Sequence, residues 1–239
     1  MHRKLQVPGI IGGAGPGATA QIYLDVVARC RRAGLPRRPP ILIASLDIDL
    51  AMEERLLRDG VGIEGYRASL LESGRALAAA GADFLAVPCN SLHVLLPDLV
   101  EAVPIPVLSI VDAVAAEVGR CGCRTVGLLS TTTTASSGLY RDGLQARGIE
   151  VVGLPADLQG RLEQRIAREV EQLGPVADDG FEGELVGAMT AQKAGALIAG
   201  CTELKSIMAG WSSGLPVIDS LDALGMLVAE RIMAAPDRS

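Results

Sequence analysis

Two cysteines stand in comparable settings in the two halves of the chain: Cys89 in Pro88-Cys89-Asn90-Ser91-Leu92-His93 and Cys201 in Gly200-Cys201-Thr202-Glu203-Leu204. A thiolate and a thiol on opposite faces of one carbon acid form a matched base and acid, one removing a proton and the other returning one from the far side. A free cysteine titrates at about 8.5, and a helix N-terminus or nearby donors bring it toward neutral pH. Such a pair inverts a stereocentre without a further reagent, provided that donors stabilise the carbanion as it forms. Two turns supply donors of that kind, Gly12-Gly13-Ala14-Gly15-Pro16-Gly17-Ala18-Thr19 and Ser130-Thr131-Thr132-Thr133-Thr134, each after an apolar run. The first is dense in glycine, but it does not satisfy G-x-G-x-x-G and a proline interrupts it, which argues against a nucleotide site.

The elements that position these residues are short aliphatic runs, Val7 to Ile11, Ile41 to Leu46, Phe84 to Val87, Val126 to Leu129 and Ala196 to Ala199, separated by longer helical stretches. That alternation predicts an α/β fold with parallel sheet covered on both faces. Helical periodicity is clearest from Gly65 to Ala80 and from Leu158 to Leu173.

Comparison of the chain with itself is more informative. Pro106-Val107-Leu108-Ser109-Ile110-Val111-Asp112-Ala113 matches Pro216-Val217-Ile218-Asp219-Ser220-Leu221-Asp222-Ala223 at an offset of 110, and Cys89 stands against Cys201 at 112. Gly9-Ile10-Ile11-Gly12 with Tyr23 downstream matches Gly127-Leu128-Leu129-Ser130 with Tyr140, at offsets of 118 and 117. Matched pieces in one order predict two similar Rossmann-like lobes related by pseudo-twofold symmetry. The expected division is 1–113 and 114–215, with 216–239 completing the first lobe. Ligands gather beyond the carboxyl ends of parallel strands, so the two cysteines are expected to face one ligand across the cleft between the lobes.

Composition bounds the alternatives. The chain has 239 residues, 49% hydrophobic and 21% charged but only 3% aromatic, so its core must be aliphatic. A net charge of −6 gives no electrostatic footprint for nucleic acid, and charges, Gly and Pro interrupt every apolar stretch before it could span a membrane. The basic start, Met1 to Val7, lacks the apolar core of a secretory signal, so a cytoplasmic protein is expected. Five cysteines without a secretion signal then read as free thiols.

The motifs together resemble the cofactor-independent aspartate/glutamate racemases, which work without pyridoxal phosphate. Ile11 to Thr19 is similar to that family's opening glycine signature, Pro88 to His93 to its first cysteine signature and Gly200 to Leu204 to its second, while Leu129 to Thr134 with Tyr140 is similar to its threonine turn. The resemblance spans nearly the whole chain. It implies an amino-acid racemase in which Cys89 and Cys201 transfer the protons, with Gly13, Asn90, Ser91, Thr131, Thr134 and Thr202 around the substrate. It also implies a homodimer that uses no cofactor and no metal. Two departures bear on the substrate. Glu171 stands where a lysine is expected, the wrong sign for a side-chain carboxylate, and the Asp-Arg-Thr element after the second strand is missing, with Leu46 to Leu50, Arg55 and Arg58 in that region. Both weaken the assignment of an acidic substrate.

Other residues carry plainer readings. Cys30, Cys121 and Cys123 read as inert thiols, and with two histidines in the chain Cys121-Gly122-Cys123 is a poor zinc site. His93 either tunes the Cys89 thiol or satisfies a backbone carbonyl, the commoner role. Glu203 either takes its neighbour's proton or caps the following helix. Glu53, Glu54, Arg55 and Arg58 read as a solvated helix face, with Arg55 as the member that could reach a substrate. Two other functions fit the same cleft: a cysteine-dependent isomerase or decarboxylase of the same superfamily, and a non-catalytic small-molecule-binding module. Decarboxylation needs a proton on one face only, and two cysteines argue against it.

Overall fold

The apolar runs become strands of two parallel sheets. The computed structural model describes residues 5–59, 61–170, 180–212 and 214–234. In the first half β1 (Pro8–Gly12), β2 (Leu42–Ser45), β3 (Phe84–Ala86) and β4 (Val107–Leu108) lie in the order β2-β1-β3-β4. In the second half β5 (Thr125–Leu129), β6 (Glu150–Val152), β7 (Ala196–Ala199) and β8 (Val217–Asp219) lie in the order β6-β5-β7-β8. The two orders are the same, and all six pairings are parallel, so the sequence repeat is a repeat of topology.

The intervening helices are α1 (Pro16–Arg32), α2 (Leu50–Asp59), α3 (Arg67–Ala79), α4 (Leu96–Ala102) and α5 (Ile110–Cys121), then α6 (Thr132–Ser136), α7 (Leu139–Gln145), α8 (Ala156–Val170), α9 (Phe181–Ala191), α10 (Leu204–Ile207) and α11 (Ser220–Met233). Alternation along each strand sends successive side chains to different layers. Ile10, Phe84 and Ala86 join Val126, Ala196, Ile198 and the buried faces of α1, α5 and α11 in one core shared by both halves. Ile11 and Leu85 pack instead with Leu70, Leu77 and Leu99 of α3 and α4. Leu197 and Ala199 do the same with Leu162, Ile166, Leu185 and Met189 of α8 and α9. The matched glycines share one cause: a Cβ on Gly9 would sit 2.7 Å from Leu85 Cδ2, and one on Gly127 would sit 2.7 Å from Met189 Sδ.

The halves are joined by an exchange of helices. α5 leaves the first sheet and packs on α7, α11 leaves the second sheet and packs on α1, and the two pack on each other. The matched segments before them supply matched caps: Ser109 Oγ accepts from Asp112 N–H at 3.2 Å, and Asp219 Oδ1 accepts from Asp222 N–H at 2.8 Å. Residues 113 and 114 therefore lie inside α5, and the segment from 216 gives β8 to the second sheet and α11 to the face of α1.

The helix expected from Gly65 opens as a 3-10 turn, Ile63–Tyr66, before α3 begins. The end of the helix expected to reach Leu173 lies outside the described residues. β4, β6 and β8 carry no strand signal of their own, because two or three residues are too few to show a period. One cysteine reading needs correction: Cys121 and Cys123 are bonded to each other, with Cα atoms 5.4 Å apart, while Cys30, Cys89 and Cys201 are free. The left-handed conformation of Gly122 at the end of α5 folds the chain so that the two side chains meet. Among the described residues no helix is long and apolar enough to cross a membrane.

Candidate active site

β3 and β7 are inner strands of their sheets, and each ends just before a cysteine. The two halves bring Cys89 and Cys201 to one cleft, whose wall also includes Asn90, Ser91, Thr131 and Thr202. Of the residues expected around a substrate, Gly13 and Thr134 are not on that wall.

Gly13 instead shapes the turn after β1. Its φ of 98° is left-handed, and a Cβ there would lie 2.6 Å from Leu46 N. Its N–H donates to Thr19 Oγ1 at 3.0 Å, which draws α1 close and leaves Ala14 and Gly15 to face the cleft. The threonine turn after β5 is held from below. Gln159 of α8 donates to the Ser130 carbonyl at 2.8 Å, and Glu163 accepts from the Thr132 hydroxyl at 2.6 Å. Thr131 caps α6, and its Oγ1 lies 3.2 Å from Thr134 Oγ1. Ser91 Oγ reaches across from the first half to Thr131 Oγ1 at 3.3 Å and Thr134 Oγ1 at 3.1 Å. Thr134 therefore holds the wall without forming it.

A second polar bridge lies beside the first. Tyr140, fully buried, donates its hydroxyl to Asn90 Oδ1 at 2.5 Å, and Asn90 Nδ2 donates to Ser220 Oγ at 3.0 Å. Asn90 thus spends half of its hydrogen-bonding capacity tying the lobes together and keeps one Nδ2 hydrogen for the cleft. His93 takes the commoner of its two readings. Its Nε2 accepts from Ile110 N–H at 3.0 Å, which leaves Nδ1 to donate to the Cys89 carbonyl at 2.8 Å. Burial holds this imidazole neutral, its pKa lowered to about 4, and it pins the Cys89 loop to the start of α5.

The thiols are inequivalent. Burial pushes Cys89 up to about 12, with the nearby charges of Glu203 and Glu53 adding to the rise and the N–H groups of Leu92 and Ser91 opposing it. Cys201 is also pushed well above the usual thiol range, by burial and by Glu203. Its Sγ donates to Glu203 Oε2 at 3.0 Å, and Thr202 Oγ1 donates to the same oxygen at 2.8 Å. Of the two readings of Glu203, contact with its neighbour's proton is the one seen, since its side chain makes no cap hydrogen bond to α10. Backbone donors at the cysteines are present as expected, but desolvation outweighs them and favours the protonated thiols.

Glu53, Tyr66 and Thr133 complete the chemically active wall, and none of them stood out as a site residue in the sequence. Glu53 belongs to a charge run read as solvated, yet α2 packs against α8 and its carboxylate is turned to the cleft, half-buried. Arg55 is exposed and away from the wall, while the side chains of Glu54 and Arg58 fall outside the description. Glu171 also lies outside the described residues. Thr133 is only 7% exposed, and its Oγ1 has no hydrogen-bond partner among the described residues, which leaves a donor to spare on the cleft wall. Burial and hydrogen bonding are not written in a run of threonines, so only the fold separates Thr133 from its neighbours.

A family model described as Asp/Glu/Hydantoin racemase matches residues 11–227. The chain is similar to the broad specificity amino-acid racemase RacX of Bacillus subtilis (strain 168), at 25% identity over 230 residues that cover 95% of this chain and 98% of that protein. Among solved structures it is similar to an aspartate racemase homologue from Pyrococcus horikoshii OT3, with a TM-score of 0.79, 26% identity and coverage of 96% and 100% of the two chains. The fold is also that of the Picrophilus torridus aspartate racemase, with a TM-score of 0.69, 22% identity and coverage of 94% and 93%.

Proposed function

The chain belongs to the Asp/Glu/hydantoin racemase family and is by that membership an isomerase, from which we propose that it interconverts amino-acid enantiomers with Cys89 and Cys201 as the two proton-transfer groups. The observation that carries the reading is the meeting of two free thiols, one from each lobe, on the wall of a single cleft.

Two backbone N–H groups receive the sulfur of Cys89, whereas the Cys201 thiol faces a carboxylate. Cys89 is the base for the enantiomer whose α-hydrogen points toward the first lobe. Cys201, protonated and hydrogen-bonded to Glu203, is the acid that delivers a proton to the opposite face. In the reverse direction the roles exchange. The positive charge of the incoming substrate's α-ammonium group eases ionisation of a thiol. As the α-carbon is deprotonated, charge moves onto the substrate carboxylate. The hydroxyls of Ser91, Thr131, Thr133 and Thr202 and the remaining Nδ2 hydrogen of Asn90 are the donors proposed to receive it, while Gly13 and Thr134 shape the turns that carry them.

The reading takes 1–113 and 114–215 as the two lobes, with the segment from 216 completing the first through α11. It also includes a cytoplasmic homodimer that uses neither cofactor nor metal and has no nucleic-acid or membrane partner, supported by the family resemblance and the net charge of −6. The test is a chiral assay of single L- and D-amino acids with the wild type, Cys89→Ala and Cys201→Ala. Inversion by the wild type and its loss, by about 1000-fold or more, in both variants is expected. A protein that binds an amino acid equally well in all three forms and inverts none is a binding module instead.

A further inference from the structure

We infer that the side chain accepted by this cleft is cationic: the substrate is an α-amino acid ending in an ammonium or guanidinium group, received by the carboxylates of Glu53 and Glu203. The inference rests on the amino-acid racemase reading and names the substrate class for it.

Three observations carry it. The first is the sign of the wall. Among the described residues, Glu53 and Glu203 are the charged side chains lining the cleft, and no Lys, Arg or His lines it. Arg55, the basic residue expected to reach a substrate, is exposed, with its Nε toward the Ala51 carbonyl at 3.4 Å. Lys205 lies in an adjoining groove and is already tied to Asp222 at 2.8 Å and Asp25 at 3.6 Å. A substrate carboxylate in the side-chain position would be a third negative charge with no counter-ion.

The second is the state of the two glutamates. Glu203 accepts from Cys201 and Thr202 through Oε2, while its Oε1 takes no hydrogen bond from the described residues. The Glu53 carboxylate, half-buried on α2, has no hydrogen-bond or ion-pair partner among them. Burial and the charge of Glu203 hold Glu53 above the usual carboxylate range, a cost that a cation placed between the two would relieve.

The third is a separate place for the α-carboxylate. Thr133, about nine-tenths buried and with its hydroxyl unpartnered among the described residues, lines the cleft beside Thr131 and Ser91. The neutral donors on the threonine turn suit an anion, and the glutamates suit a cation. The cleft also shares Gly15, Val170, Thr202 and Glu203 with the adjoining groove, where Glu169 adds a further carboxylate and Lys205 is held by Asp222 and Asp25, so an extended side chain has room beyond the two glutamates.

The test is the initial rate of α-hydrogen exchange in deuterium oxide, followed by proton NMR, for L-lysine, L-ornithine, L-arginine, L-norleucine and L-glutamate. L-norleucine has the lysine chain without its amine. The expected result is a kcat/KM for at least one cationic amino acid about 100-fold above those of L-norleucine and L-glutamate. Glu53→Gln, an isosteric change outside the proton-transfer pair, lowers the lysine-to-norleucine ratio about tenfold. Exchange of L-glutamate or L-norleucine as fast as that of every cationic substrate overturns the inference and leaves the racemase reading standing. A ratio unchanged by Glu53→Gln overturns the role given to Glu53 and the charge-recognition argument with it. No exchange with any amino acid overturns the racemase reading itself, and this inference falls with it.

Discussion

His93 makes the stability of the protein depend on pH in a way that can be worked from its two hydrogen bonds. Its imidazole accepts from Ile110 N–H and donates to the Cys89 carbonyl, so the neutral ring satisfies both neighbours. A second ring proton would face the Ile110 N–H head-on. Burial lowers the pKa from the usual 6.5 to about 4. The unfolded chain therefore binds the extra proton between those values. The contribution of this residue is complete above pH 6.5 and is lost as pH falls through the window toward 4. Integrating over the window gives about 3 kcal/mol of stability present at pH 7 and absent at pH 4. Other groups titrate in the same range. Burial holds Asp219 and Glu53 above the usual carboxylate range, which acts in the opposite direction. The informative quantity is thus a difference between two proteins. Urea unfolding of the wild type and of His93→Gln, at intervals from pH 7 to pH 4, should show the wild type losing about 3 kcal/mol more than the variant. A gap between the two that stays within about 1 kcal/mol of its neutral value would refute the assignment of a neutral, doubly bonded His93.

Three further outcomes follow from the same geometry. Tyr140→Phe leaves Asn90 Oδ1 buried without its donor, and urea unfolding at pH 7 should show a loss of about 2 kcal/mol, with kcat falling more than KM rises; no loss would mean that the bridge does not join the lobes. Gly12→Ala drives a Cβ into Thr19, whose hydroxyl holds the turn, and should cost about 1–3 kcal/mol, much of it recovered by adding Thr19→Ala. Iodoacetamide should label Cys89 before Cys201, since burial pushes Cys89 up to about 12 and Cys201 is both more buried and hydrogen-bonded to Glu203. The Cys89 rate should climb about tenfold per pH unit from pH 7 to 9, and a plateau below pH 9 would contradict the raised value.

Most of what positions the site was legible before the fold was known. The offsets of the two cysteines and of the Pro106 and Pro216 segments lay in the sequence because each half needs the same strand end, the same capped helix and the same close approach at Gly9 and Gly127. The glycine and threonine turns were legible as turns for a related reason, since Gly13 requires a left-handed conformation. The exchange of α5 and α11 between the halves was not legible, because helical periodicity tells that one face is buried and not which partner buries it. Side-chain allegiance was hidden for the same reason. Nothing in four consecutive threonines marks Thr133 as facing the cleft and Thr134 as bonded to Ser91. Glu53 reads as one charge in a solvated run until α8 covers α2, and the thiol pKa direction was misjudged because backbone donors can be guessed from strand-end position whereas burial cannot.

The most direct test of the two-thiol mechanism is the isotopic pattern of early racemisation in deuterium oxide, read in both enantiomers. With separate groups on the two faces, the product enantiomer should carry deuterium at the α-carbon while the unreacted enantiomer retains protium, and Cys89→Ser and Cys201→Ser should each abolish inversion. Equal deuterium in substrate and product at early times, or inversion that persists in either variant, would contradict it.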